Sequence, residues 1–310
     1  MSFQPIAVLL WALGAFTAVY VGIWSQATLA ARRLGAAAQS PAADARFPTA
    51  LHLGLGAITN FFDTLGIGSF APTTAAFKLK QIVPDRIIPG TLNVGHALPT
   101  IAQAFIYTSI IEVDTLTLYT MITASALGAW LGAGVVARWP RRRIQIGMGI
   151  ALLVAATVML ITQLNLFPAG GDALGVRGLR LGLAVSGSFL FGSLQTLGIG
   201  LYAPCLILVS LLGMSPRAAF PIMTGSGAFV MAVASVRFIR ERSYSLRVAL
   251  GLAIGGIPAV LLAAYIVKEL PLYWVRWLVM VVVVYAATTM LWSAMATEAA
   301  VTDAAAEPNA

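Results

Sequence analysis

Thr64-Leu65-Gly66-Ile67-Gly68 recurs 132 positions later as Thr196-Leu197-Gly198-Ile199-Gly200, and both copies interrupt long apolar segments. The register holds around them. Ala71-Pro72 falls on Ala203-Pro204, Phe70 on Tyr202, Pro84 on Pro216, Pro89 on Pro221 and Gly95 on Gly227. Farther along, the spacing shortens by one and Ala155-Ala156-Thr157-x-Met159 matches Ala286-Ala287-Thr288-x-Met290. A five-residue identity followed by prolines and glycines in register is the mark of a duplication. The chain is therefore expected to fold as two similar halves.

The solvent of that fold follows from composition. Of 310 residues, 59% are hydrophobic and 10% charged, where a soluble domain has about 25% charged. Apolar segments cover about 5–29, 49–78, 88–111, 115–137, 144–166, 178–212, 217–237, 247–267 and 272–296. A helix needs roughly 20 such residues to cross a bilayer. An all-α polytopic membrane protein is expected, with domains at 1–30 (an N-terminal transmembrane helix without signal-peptide features), 49–166, 178–296 and an acidic, disordered tail at 297–310. The formal net charge of +8 resides in short loops, as in membrane proteins. With no zinc-finger spacing and no basic helix, nucleic acid is not an expected partner. The single cysteine, Cys205, excludes an intramolecular disulfide and a cysteine metal cluster.

Loop charge predicts how the halves are oriented. Loops 138–143 and 237–247 are strongly basic and should be cytoplasmic; the loop with Glu112 and Asp114 should lie outside. If every segment crossed, 178–212 would have to start and finish outside, and 49–78 would have to start and finish inside. Both conflicts vanish if these two segments are broken, re-entrant hairpins. Each half then holds one hairpin and about three spans, and the halves are inverted repeats, an architecture of transporters.

The Gly-rich breaks themselves admit two readings. Gly and Pro interrupt helices, and a half-helix starting at the midplane would offer N–H groups and a positive dipole end to an anion. The same glycines could instead let helices pack closely. Asp63, an acid deep in an apolar segment, is costly there. It is either a coupling carboxylate or a cap for orphan N–H groups, and its counterpart in the other half is Gln195. His96, with Asn93 one turn before it, is either a proton carrier or anion ligand, or a neutral histidine bonding between helices. Thr224 and Ser226 are the hydroxyl donors of the equivalent segment, where Gly225 and Ala228 replace Asn93 and His96. Lys78, Lys80, Arg86 and Arg217 read as topology determinants. No P-loop, metal-ligand set or cofactor motif stands out.

Over about 50–292 these features resemble the TauE/SafE family of sulfite and organosulfonate membrane permeases: the twofold Gly-rich motif with its following Pro, the helices leading to Gly95 and Gly227, and two small-residue-rich spans per half. Where the family usually has a longer glycine run, Ser69-Phe70 and Leu201-Tyr202 stand here. The resemblance implies a secondary transporter in a bacterial-type inner membrane, moving sulfite, sulfoacetate or other organosulfonates. It implies an anion surrounded by Gly66, Gly68, Gly198 and Gly200 and their polar neighbours. Thr64, Ser69, Thr73, Asn93, Thr196, Tyr202, Thr224 and Ser226 are the expected donors, and Asp63, His96 and Gln195 the coupling candidates. The expected partners are the bilayer, the anion and coupling protons; oligomeric state is left open. The competing classes are an anion channel on the same scaffold and a membrane-embedded enzyme, for which one Asp and one His give little support.

Overall fold

The computed structural model describes residues 5–35, 47–136, 138–166, 171–198 and 200–265, and single helical positions between 277 and 295. The tail 297–310, most of the connecting loop 30–48 and much of the last apolar segment lie outside the described residues. Among the described residues the fold is all-α, with one isolated bridge between Ala173 and Met214. The helices are α1 (Pro5–Gly35), α2 (Ala50–Thr64), α3 (Phe70–Lys80), α4 (Ile88–Ile110), α5 (Thr115–Val136), α6 (Arg141–Gln163), α7 (Gly178–Gln195), α8 (Tyr202–Leu211), α9 (Ala219–Arg240) and α10 (Leu246–Tyr265). Four stretches, Ile6–Ala30, Thr115–Val136, Pro216–Arg240 and Leu246–Tyr265, are long and apolar enough to cross a membrane. Their length and composition are those of a membrane protein.

Two buried helices, α4 and α9, form the centre, and each apolar segment with a Gly-rich motif is split. α2 stops at Thr64 and α3 starts at Phe70; α7 stops at Gln195 and α8 starts at Tyr202. At about 1.5 Å per residue, α3 with 11 residues and α8 with 10 reach only about half of a ~30 Å hydrocarbon core. Small residues set the main pairings, as in membrane bundles. In α2–α10, Gly56 lies against the Leu252 backbone and Gly255 against that of Leu53; in α5–α7, Gly128 lies against Phe189 and Gly192 against Ser125, with no room for a Cβ at any of the four. One face of α1 packs on this body through Leu9, Leu13, Tyr20 and Trp24, and the Tyr20 hydroxyl donates to the Val94 carbonyl at 3.0 Å.

Loop contacts gather at two ends. At the basic end, Arg247 donates to the Phe47 carbonyl before α2, Ser245 N–H donates to Thr91, and Lys78 in the last turn of α3 meets Asp85. Arg138 and Glu241 join the loops after α5 and α9 there. At the other end, Asp114 before α5 binds Arg177 before α7, Ser215 N–H donates to the Ala173 carbonyl, and Arg180 donates to the Leu212 carbonyl after α8. Thus α2 begins and α3 finishes at the basic end, while α7 begins and α8 finishes at the opposite one.

The Asp114–Arg177 contact makes stability pH-dependent. Arg177 donates twice, at 2.6 and 2.7 Å, and the Thr117 N–H and hydroxyl each donate at 2.8 Å to the same carboxylate. These donors, Arg177 foremost, hold the Asp114 carboxyl below the ordinary carboxylate range. A depressed folded-state pKa stabilises above the unfolded value of about 3.9, and that contribution fades as pH falls below it. Wild type should therefore melt higher than Asp114→Asn at about pH 6, and the gap should narrow toward about pH 3; thermal melts of both in detergent check it.

Candidate functional site

The first break is a helix end built by glycine. Gly66 N–H bonds the Asp63 carbonyl at 2.9 Å and Ile67 N–H bonds that of Phe62 at 3.1 Å, the two bonds of a Schellman cap. Gly66 sits at φ +88° and Gly68 at φ +90°, where an L side chain is strained. The second break repeats the first bond, Gly198 N–H to the Gln195 carbonyl at 2.9 Å, with Gly198 at φ +96°. A Cβ on Gly66 would find its nearest neighbour 3.7 Å away, and one on Gly68 nothing within 4 Å. At these positions glycine supplies backbone conformation rather than close helix packing. Gly66→Ala should thus cost roughly 1–2 kcal/mol from strain alone, without a steric clash, read as a lowered melting temperature.

After each break a half-helix starts with proline in its first turn, Pro72 in α3 and Pro204 in α8, a position where the missing N–H costs nothing. Thr73 N–H closes on the Ser69 carbonyl at 3.1 Å and Cys205 N–H on that of Leu201 at 2.9 Å. The two N-termini share one cavity of about 40 Å³. Its wall holds matched residues of both motif copies: Asp63 with Gln195, Gly68 with Gly200, Ser69 with Leu201, and Phe70 with Tyr202. Ile67, Ala71 and Met231 complete it.

Polar contacts around the cavity are unequal. Asp63, 3% exposed, accepts Gln103 Nε2 at 2.7 Å and has Ser69 beside it in the cavity wall. Gln103 Nε2 also reaches the Thr64 hydroxyl at 3.2 Å, and Gln103 Oε1 accepts the Tyr202 hydroxyl at 2.7 Å. Tyr107 donates to the Thr64 carbonyl. A line of side chains thus runs from the first motif through Gln103 of α4 to Tyr202 in the second. Asp63 is thus tied to α4 by the Gln103 amide. Gln195 is the opposite case. It is 1% exposed, and its Oε1 has no hydrogen-bond partner although it lines the cavity.

His96 lies behind the cavity, its ring centroid 5.9 Å from that of Phe70. Asn60 spends its amide N–H on the Gly56 carbonyl at 2.8 Å, so its Oδ1, 3.0 Å from His96 Nδ1, is the acceptor there. On the far side His96 Nε2 is 3.1 Å from the Thr73 hydroxyl, which also lies 2.7 Å from the Ser69 carbonyl. With neutral His96, one hydroxyl hydrogen faces two acceptors. The Ser69 carbonyl already accepts the Thr73 N–H, so a Thr73 hydroxyl turned to Nε2 gives every atom of this chain a partner with His96 neutral.

The other expected donors are placed less favourably. Thr64, Thr196 and Thr224 donate to carbonyls of their own helices, those of Asn60, Ser193 and Phe220. Asn93 donates to the Pro89 carbonyl and its Oδ1 is unpartnered, as is the Ser226 hydroxyl; neither lines the cavity. Sequence reasoning missed Asn60, Gln103 and Tyr107. A signal was present: His96, Gln103 and Tyr107 follow one another at seven and four residues on one face of α4. Among the described residues no group of three His, Cys, Asp or Glu could hold a metal ion. Chemically, the cavity combines two helix N-termini, one carboxylate held by Gln103 and one amide whose oxygen is unpartnered, a set suited to gripping a small polar ligand. Comparison with family models, curated proteins and solved structures finds no match to this chain.

Proposed function

We propose that the chain is a secondary transporter for small sulfur-containing anions, sulfite or organosulfonates, which bind between the two Gly-rich breaks. The observation that carries this reading is the shared cavity. Equivalent positions of both motif copies line it, two half-helices begin at it, and a buried Gln195 whose Oε1 has no partner faces it. An unpaired buried polar group is costly, and a ligand relieves that cost. The resemblance to TauE/SafE permeases supports the choice of sulfur anions and of a bacterial-type inner membrane. Helix N-termini at membrane depth serve anionic groups in other transporter folds.

Inverted repeats complete the proposal. At the 132-residue spacing α2, α3, α4 and α5 correspond to α7, α8, α9 and α10. The pairs α2–α10 and α5–α7 then become equivalent contacts, each joining the two halves. The start of α2 and end of α3 at the basic end, and the start of α7 and end of α8 at the other, support two oppositely oriented re-entrant hairpins. Cysteines placed at Phe47 and Lys80 should be labelled from the same side of the membrane, and one at Arg177 from the opposite side. The native Cys205 is buried and should stay silent. Labelling of Phe47 and Lys80 from opposite sides would remove the hairpin.

Proton coupling is proposed through Asp63, which lines the cavity, or through His96 behind it. Flux of sulfite or a sulfonate into proteoliposomes tests the function. Saturable uptake that responds to a pH gradient supports the transporter, and large unsaturable currents would reveal a channel. Absence of flux with all such anions, in protein shown to be folded, would contradict the substrate class.

A further inference from the structure

We infer that the cavity between the breaks selects an oxyanion in its monoprotonated form, the oxyanion donating its own hydrogen to Asp63 while its other oxygens meet the α3 and α8 N-termini and the Gln195 amide. The inference rests on the transporter reading above and narrows its substrate. It starts from a conflict. A site for an anion has a buried carboxylate in its wall. The hydrogen-bond partner of the Asp63 side chain is a donor, the Gln103 amide at 2.7 Å. The orientation of Gln103 is fixed, because Tyr202 donates to its oxygen. Asp63 therefore acts as an acceptor. A carboxylate has about four acceptor positions, so room remains for a donor on a ligand in the cavity.

What fills that position must bring a hydrogen. No Lys, Arg or His lines the cavity. The titratable groups beside Asp63 are Tyr107 of α4 and Tyr202 of α8, and both hydroxyl hydrogens are committed elsewhere, to Thr64 and Gln103. Two helix N-termini carry about half a positive charge each, enough to offset Asp63 and no more. A fully ionised oxyanion would face that carboxylate with no hydrogen between the two. A monoprotonated one carries the least charge and the missing donor. Its other oxygens meet N–H groups and the Gln195 side-chain amide, which turns its nitrogen to an oxygen as readily as its oxygen to a hydrogen. The volume of about 40 Å³ is that of about three waters, the scale of a small oxyanion without a long organic tail. Hydrogensulfite satisfies each requirement near neutral pH. Sulfate and alkanesulfonates carry no hydrogen there.

Titration calorimetry on the full-length protein in detergent tests this, with sulfite, sulfate and methanesulfonate at about pH 6 and about pH 8. Wild type should bind sulfite in proportion to its hydrogensulfite fraction, hence more weakly at the higher pH. It should bind sulfate and methanesulfonate roughly a hundredfold more weakly at both, the scale set by a buried acceptor left without its hydrogen. Asp63→Asn offers an N–H instead and should lose most of the discrimination against sulfate. Should that variant not fold, the wild-type comparison decides. Sulfate bound as tightly as sulfite, sulfite bound equally at both pH values, or sulfate gaining affinity at the lower pH (a proton taken by Asp63 itself) would each overturn the inference while leaving an anion site in place. Binding of none of the three would overturn the transporter reading with it.

Discussion

Lys78→Ala should destabilise the protein by about 3–5 kcal/mol, the cost of leaving a buried charge without its partner. Lys78 Nζ is 2.8 Å from Asp85 Oδ1, with side-chain exposures of 7% and 5%. Gln145 Nε2 donates to the other carboxylate oxygen at 2.7 Å. The ammonium also sits in the last turn of α3, where the helix dipole favours positive charge. The pair ties the end of α3 to the turn before α4 and, through Gln145, to α6. Sequence reading assigned Lys78 to topology along with Lys80, Arg86 and Arg217. Those three are exposed and Lys78 is not, so its work is internal. The double variant Lys78→Met with Asp85→Leu removes both charges and should recover most of the loss, since replacing a whole buried pair by apolar residues is often neutral. Chemical or thermal unfolding of the three proteins in one detergent measures it. Equal stability of Lys78→Ala and wild type would contradict the pair's role.

Gln103→Leu should lower transport about ten- to a hundredfold while leaving the fold in place. Leu keeps the bulk of the side chain but severs the link from Asp63 to Tyr202, two bonds of 2.7 Å each. A hydrogen bond to a charged group contributes about 1.5–3 kcal/mol, and each 1.4 kcal/mol is a factor of ten. The Asp63 carboxylate would be released toward the cavity and the Tyr202 hydroxyl would lose its acceptor. Tyr202→Phe should cost less on its own, and the double variant should cost less than the two singles together, because the groups form one network. Additive losses in flux would mean that the two residues act separately.

The breaks were the most legible part of the fold. Gly66 and Gly198 are repeated because the backbone there needs positive φ, and such a need is written directly in the residue type. The starts of α3 and α8 were marked by Pro72 and Pro204 in their first turns for a similar reason. Loop charge placed the Arg138 and Glu241 loops together, and their contact agrees. The partners of Asp63 were not legible. Ser69 is only its neighbour within the same break, whereas Gln103, which donates to it, lies forty residues away on another helix, and only the α4–α2 packing brings it near. Nor could sequence tell that the Thr64, Thr196 and Thr224 hydroxyls would turn to their own backbones, since a threonine in a helix chooses between the i−3 or i−4 carbonyl and a distant partner. The duplication also concealed an asymmetry. Asn60, Thr73, His96 and Gln103 correspond to Gly192, Cys205, Ala228 and Ser235, so the first half carries the buried polar network and the second contributes Gln195 and Tyr202.

A structure of the protein determined with sulfite present tests the site most directly. Density for the anion should appear between Asp63 and Gln195, in contact with the first residues of α3 and α8, and should vanish when Gly68 and Gly200 are both replaced by valine. Density bound elsewhere, with the space between residues 64–74 and 196–204 unchanged, would contradict it.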